Sequence, residues 1–328
     1  MLTLILSRLA QAVPVLLVVG LIAFAMFKFV GDPVTIMLGT TYTEQEKIDL
    51  IHHLGLDQPF VVQYARFMWD AVHGEFGVSY RLARPVMDLL IERAPATLEL
   101  AFVASLFALV VGVPMGVYTG IYRNRVLSRV FMVISLVGVS LPTFLIGILL
   151  ILVFSVQLGL LPSFGRGQVV KVGFWTTGFL TASGLQALVL PSVTLGLFQM
   201  TLIMRLVRSE MLEVLRSDYV KFARARGISN RAIYFGHALK NTLVPVITII
   251  GLQIGGIIAF SIVTETVFQW PGMGLLFIQS VQVADIPVMA AYLMLISVVF
   301  VVINLIVDLL YFAVDPRLRL SRGGRAQA

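Results

Sequence analysis

The chain has 328 residues, 59% of them hydrophobic and only 12% charged, with a mean hydropathy of +0.96 and a formal charge of +7. A soluble domain carries about 45–50% apolar and about 25% charged residues, so this is a membrane composition. There is no cysteine, which excludes disulfides, iron–sulfur clusters and thiol catalysis.

A helix crossing the hydrocarbon core needs about 20 apolar residues. Six stretches are expected to do so: 9–30, 96–121, 130–156, 188–204, 243–263 and 288–312. The fourth is short and carries Pro191. Arg8 and Ala23-Phe24-Ala25 resemble a signal peptide with its cleavage site. The apolar run continues to Val30, however, which is too long for a signal core, so the stretch is expected to stay as a transmembrane helix.

The segment 31–95 alternates turn signals (Gly31-Asp32-Pro33, Gly55, Gly74, Gly77) with helix-prone runs. Thr43-Glu44-Gln45-Glu46 reads as a capping box ahead of Ile48, Ile51 and Leu54. Within the third span, Gly138, Pro142 and Gly147 predict a kinked or closely packed helix, with Pro142 a pathway or packing candidate. The segment 157–187 is rich in Gly, Ser and Thr.

The loop 205–242 is the most cationic part of the chain, with eight basic residues between 205 and 240. Residues 218–226 are helix formers, and Tyr219, Phe222, Ala223 and Arg226 share one face. Gly227 costs about 1 kcal/mol relative to Ala inside a helix, so it is expected to break it. Ser229 is placed to cap a second helix running from Asn230 to Asn241. A cationic helix–glycine–helix element suits an amphipathic helix on anionic lipid, or a docking element for a cytosolic partner.

Beyond the fifth span, Trp270-Pro271-Gly272 is expected to form an interfacial turn, with Trp270 placed to narrow an outer opening. Asp308 lies in the last span, where a carboxylate costs about 2.5–3.5 kcal/mol at the helix centre, so a basic or backbone partner is expected. Lys28 and Glu99 are expected to reach the outer interface.

With six spans both termini share a side. That side holds 16 of the 24 basic residues, including Arg123, Arg125, Arg129 and four in the tail 317–325. The positive-inside rule makes it cytoplasmic. The same rule explains the basic loop without invoking nucleic acid. No Gly-x-x-x-x-Gly-Lys-Ser/Thr occurs, nor any Gly-Lys pair, so the chain has no phosphate-binding loop of its own. The four histidines (His52, His53, His73, His237) lack metalloprotease spacing. Neither catalysis nor a bound metal is expected. A secondary transporter driven by an ion gradient is the competing class, but it calls for midplane carboxylates and inverted repeats, and Asp308 alone is poor support.

Ala223-Arg224-Ala225-Arg226-Gly227, followed by His237-Ala238-Leu239-Lys240-Asn241 and Leu243-Val244-Pro245, resembles the EAA loop of an ABC importer permease. The likeness is closest to the dipeptide/oligopeptide/nickel family and covers nearly the whole chain. Gly55-Leu56-Asp57-Gln58-Pro59, Gly74-Glu75-Phe76-Gly77-Val78-Ser79 and Ala96-Thr97-Leu98-Glu99-Leu100 resemble that family's outer loop. Thr264-Glu265-Thr266-Val267-Phe268, Trp270-Pro271-Gly272-Met273-Gly274, Asp308-Leu309-Leu310-Tyr311 and Asp315-Pro316-Arg317 are similar to its C-terminal signatures. The Glu-Ala-Ala positions hold Lys221-Phe222-Ala223, and the later Ile-x-Leu-Pro reads His237-Ala238-Leu239-Lys240, a variant that peptide-type permeases share.

The resemblance implies an all-α polytopic protein of the type I ABC importer permease fold, in a bacterial inner membrane, with both termini cytoplasmic. It implies half of a pore for peptides or related small solutes, a homologous second permease, two cytosolic ATP-binding subunits that use ATP and Mg, and an extracytoplasmic substrate-binding protein. It carries the coupling role onto Asp218, Tyr219, Phe222, Ala223, Arg224, Ala225, Arg226, Gly227, Arg231, His237, Leu239 and Asn241. Glu265, Trp270, Asp308 and Pro142 are candidates for pathway or structural roles.

Overall fold

The computed structural model describes residues 2–29, 38, 42–55 and 57–314. The Gly31-Asp32-Pro33 turn, Asp315-Pro316-Arg317, the basic tail and the side chain of Lys28 lie outside the description. In chain order the helices are α1 (Leu2–Phe29), α2 (Glu44–Leu54), α3 (Phe60–Val72), α4 (Val86–Ile121), α5 (Val126–Ser140), α6 (Thr143–Leu150), α7 (Ala182–Arg216), α8 (Asp218–Ala225), α9 (Leu239–Val267), α10 (Met273–Gln282) and α11 (Ile286–Val314). π-Helical turns continue α6 over Ile151–Gln157 and precede α9 over Ala232–Ala238. Two three-residue strands, β1 (Val170–Val172) and β2 (Trp175–Thr177), are the only strands among the described residues.

Four of these helices are long and apolar enough to cross a membrane, or five if α5 and the α6 segment count as one broken span. The fifth expected span, 243–263, lies inside α9, which is continuous over 29 residues. The kink expected at Pro142 is a full break, and two other bounds need correction. The span 130–156 is two helices bent by 114°, because Pro142 cannot donate to a helical ladder and Leu141 before it is extended. α4 starts at Val86, not 96, so Pro95 lies within a helix. α7 runs to Arg216, and its 35 residues span ~52 Å, well beyond a hydrocarbon core of ~30 Å. Residues 205–216, expected as loop, therefore form a helical extension of the span.

The chain divides into two compact units. The first comprises Met1–Thr97, Gly173–Thr176 and Pro271–Val302. In it α1 packs on α3 through aromatic rings: Phe24 meets Phe60 edge-on at 5.2 Å, and Phe27 meets Phe67 at 5.6 Å. Tyr64 Oη donates to the Leu17 carbonyl at 2.6 Å. One face of α1, with Leu6, Val13, Val18 and Ile22, is exposed and apolar, as a lipid-facing surface requires. The expected capping box is present: Thr43 N donates to Glu46 Oε2 at 2.8 Å, and Glu46 N donates back to Thr43 Oγ1 at 3.3 Å.

The second unit comprises Leu98–Val172, Thr177–Trp270 and Ile303–Ala328. Its centre is α7, whose buried residues include Met200, Ile203, Met204, Val207 and Met211. Without a hydrophobic driving force inside lipid, helix pairs gain stability by close backbone approach over small residues. Gly112, Gly116 and Gly120 do this for α4. A Cβ on Gly112 would sit 2.8 Å from the Met200 carbonyl oxygen, and one on Gly116 2.6 Å from Val207 Cβ. One on Gly120 would sit 2.7 Å from Met211 Cβ. This Gly-x-x-x-Gly-x-x-x-Gly ridge is legible in the sequence as a motif, but its partner is not.

Candidate coupling element and pathway residues

The basic loop folds as a short helix, a glycine turn and a second helix. α8 follows α7 after the single extended residue Ser217. Its end is a Schellman turn: Gly227 N donates to the Arg224 carbonyl at 2.9 Å, and Ile228 N to the Ala223 carbonyl at 3.2 Å. Gly227 occupies the left-handed position at φ +76°, which only glycine adopts without strain. Ala232 N donates to Ser229 Oγ at 3.4 Å, so Ser229 caps the next helix as its side chain suggested. That helix does not stop at Asn241: the backbone is helical from 230 through 267. The second half of the element and the fifth expected span are one rod.

A small core holds the element together. Val220, Ala223 and Ile233 are buried against one another, with Leu215, Ile228 and Tyr234 around them. Asn241 Nδ2 donates to Tyr219 Oη at 2.9 Å, tying α8 to the start of α9. The remaining expected residues face outward. Asp218, Phe222, Arg224, Ala225, Arg226, Gly227, Arg231 and His237 are exposed, and Leu239 is half-buried. Phe222 is 64% exposed, with the Arg226 guanidinium 5.7 Å from its ring centre, and Phe235 lies open one helix over. Aromatic and arginine side chains on a locally rigid element are the composition of a docking surface. Of the twelve expected coupling residues, Ala223 alone is buried; its small side chain serves the internal contact.

The other candidates are scattered over the second unit. Pro142 stands at the 114° bend. Glu265 is fully buried in α9, where its Oε1 accepts from Ser261 Oγ at 3.2 Å and its backbone carbonyl from Trp270 N at 2.8 Å. Trp270 is also fully buried. Asp308 is half-buried in α11. Glu99 does not reach out to an interface: it is 2% exposed, and its Oε2 accepts from Arg166 Nη2 at 2.6 Å and from Gly178 N at 3.3 Å. That pair ties the 157–181 segment to α4.

Asp285 escaped the sequence reading. It is buried in the first unit at the start of α11, following Ala284, which holds an unusual φ of +54°. Its carboxylate accepts from Ser79 Oγ, from Tyr80 N at 3.1 Å and from Arg81 N at 3.3 Å. The Gly74–Ser79 signature is thereby pinned from a point 206 positions away. Burial and the nearby Asp285 carboxylate push the Tyr80 phenol up to about 12. Phe67 and Asp70 of α3, with Glu75, Phe76 and Tyr80 of the loop that follows it, line a cavity of about 610 Å³. Among the described residues no group of three or more metal-ligating side chains comes together.

Long apolar helices with lipid-type exposed faces, beside a cationic helix–glycine–helix element, define a polytopic membrane protein. Two family models match it: the binding-protein-dependent transport system inner membrane component over residues 112–320, and the N-terminal component of the same system over residues 1–101. The chain belongs to that family and is an inner-membrane permease of an ABC importer. It is similar to the dipeptide transport system permease protein DppB of Alkalihalophilus pseudofirmus, at 36% identity over 97% of this chain and 100% of the relative. The E. coli DppB is 36% identical over 97% and 99%, and the E. coli glutathione transport system permease protein GsiC 37% identical over the same shares. The fold resembles a chain of the inward-facing MetNI methionine ABC transporter, with a TM-score of 0.55, 21% identity, and coverage of 69% of this chain and 96% of that one.

Proposed function

We propose that this permease carries di- or oligopeptides or closely related solutes and forms half of the translocation pathway beside a homologous permease. The similar proteins named for dipeptide and glutathione transport support a peptide-like cargo. In this reading the chain has six spans with both termini in the cytoplasm. An extracytoplasmic binding protein delivers the solute, and two cytosolic subunits hydrolyse ATP; this chain carries out no catalysis and holds no cofactor.

The observation that carries the coupling role is the α8–Gly227–helix element. Its inner face is packed and its outer face offers Phe222, Arg224, Arg226 and Phe235. Because the helix from 230 is continuous with α9, a displacement at the docked end is transmitted along the rod into the membrane. Glu265 and Trp270 then act as structural anchors at the far end of that rod, and the Pro142 bend as a shape-setting element of the pathway. The test is uptake into proteoliposomes holding the complete transporter. Labelled dipeptide should accumulate only with loaded binding protein outside and ATP inside. Accumulation driven by an ion gradient without ATP would overturn the proposal.

A further inference from the structure

At mid-length of α7 and α9 two amide side chains meet. Gln199 is residue 18 of the 35 in α7, and Gln253 is residue 15 of the 29 in α9. Both fall inside the stretches read as spans, 188–204 and 243–263. Gln199 Nε2 donates to Gln253 Oε1 at 3.2 Å. Gln199 is 5% exposed, and its Oε1 has no hydrogen-bond partner among the described residues. Gln253 is half-buried; its Oε1 is the acceptor in this bond, so the bond does not use its Nε2 donors.

A third residue shapes the place. Gly256 lies three positions beyond Gln253, on the same side of α9. A Cβ built on it would meet a single neighbour, Gln199 Nε2, at 4.0 Å. The helix surface is thus notched beside the amide pair. By contrast, Gly112 and Gly116 in α4 are filled against a neighbouring helix. Gly256 is not.

A contact serving only to join two helices would satisfy both carbonyls, since an orphaned buried acceptor costs about 1–3 kcal/mol. Here the pair keeps one buried acceptor without a partner among the described residues, and the amide donors of a half-buried residue. A peptide unit carries the complementary set, one C=O and one N–H. We propose that Gln199 and Gln253 form a mid-depth amide site that hydrogen-bonds the backbone of a peptide in transit, with Gly256 leaving room for it. The inference rests on the peptide reading above. Such a site reads the main chain and ignores the side chains, as transport of peptides of varied sequence requires.

The experiment uses the complete transporter in proteoliposomes with binding protein preloaded with a labelled dipeptide. The variants are Gln253→Leu, Gln199→Leu and Gly256→Val. Each should lower uptake per loaded binding protein at least tenfold, while the ATPase subunits still co-purify and loaded binding protein still stimulates ATP hydrolysis to within twofold of wild type. Unchanged uptake in the two glutamine variants overturns the site. So does loss of assembly, or a parallel fall of uptake and hydrolysis, because either makes the pair a packing or coupling contact. Failure of the wild-type transporter to take up any peptide would count against the proposed cargo, and the proposal about these residues would fall with it. Peptide uptake by wild type together with normal variants would refute the amide site alone.

Discussion

Replacing Gly227 separates backbone strain from docking. Its φ of +76° costs a non-glycine residue about 1–2 kcal/mol, and asparagine less, because its side chain tolerates the left-handed region. A Cβ at this position meets nothing within 4 Å in the chain itself. In the free permease, then, Gly227→Ala and Gly227→Leu should be strained equally, and neither should disturb the Val220–Ala223–Ile233 core or insertion into the membrane. A strain of that size reduces the population of the correct turn by roughly tenfold. If an ATPase cleft closes on the turn, leucine adds a clash that alanine does not. The expected order for co-purification of the ATPase subunits, and for ATP-driven uptake, is Gly227→Asn close to wild type, Gly227→Ala reduced and Gly227→Leu lost. Membrane levels should be equal throughout. Equal co-purification by the alanine and leucine variants would refute close approach at Gly227, leaving it only a local turn.

Further outcomes follow from the packing. Gly116→Leu should lower the thermal unfolding temperature sharply, since its Cβ alone would sit 2.7 Å from the Met204 carbonyl oxygen; Gly236→Ala, with open space around it, should not. Asp285→Ala orphans three donors near Ser79 and should destabilise by about 3 kcal/mol or more, with Asp285→Asn milder, as read by unfolding in detergent. Tyr80 should stay neutral until well above pH 10; stability tied to its neutral form is present below pH 10 and is lost as pH rises toward about 12. An ultraviolet titration of wild type minus Tyr80→Phe that showed ionisation near pH 10 would contradict this. In this cysteine-free chain, impermeant thiol reagent on intact cells should label Lys171→Cys and spare Ser229→Cys, both at exposed positions. Labelling of the second would invert the proposed topology.

Membrane class, the presence of long apolar helices and the helix–glycine–helix element were legible in the sequence because each depends on local properties. Apolar length decides what crosses a bilayer. Thr43 and Glu46 cap a helix from three residues apart, and Gly227 marks a turn that only its own φ demands. Proline at 142 announced a break, but not its angle, which the packing around Gly147 and Thr194 helps to define. What lay beyond local reading were the pairs. Asp285 with Ser79, Glu99 with Arg166 and Gln199 with Gln253 stand 206, 67 and 54 positions apart. Nothing in either partner's neighbourhood names the other. Glu99 read as a residue bound for the interface because a lone carboxylate in an apolar run is costly, and the arginine that offsets the cost arrives on a separate loop. The glycine ridge of α4 likewise needed α7 beside it before its three missing side chains had a meaning. Long-range polar pairs and close helix contacts are decided by how helices stack, since only stacking brings their chemistry within hydrogen-bond or van der Waals reach.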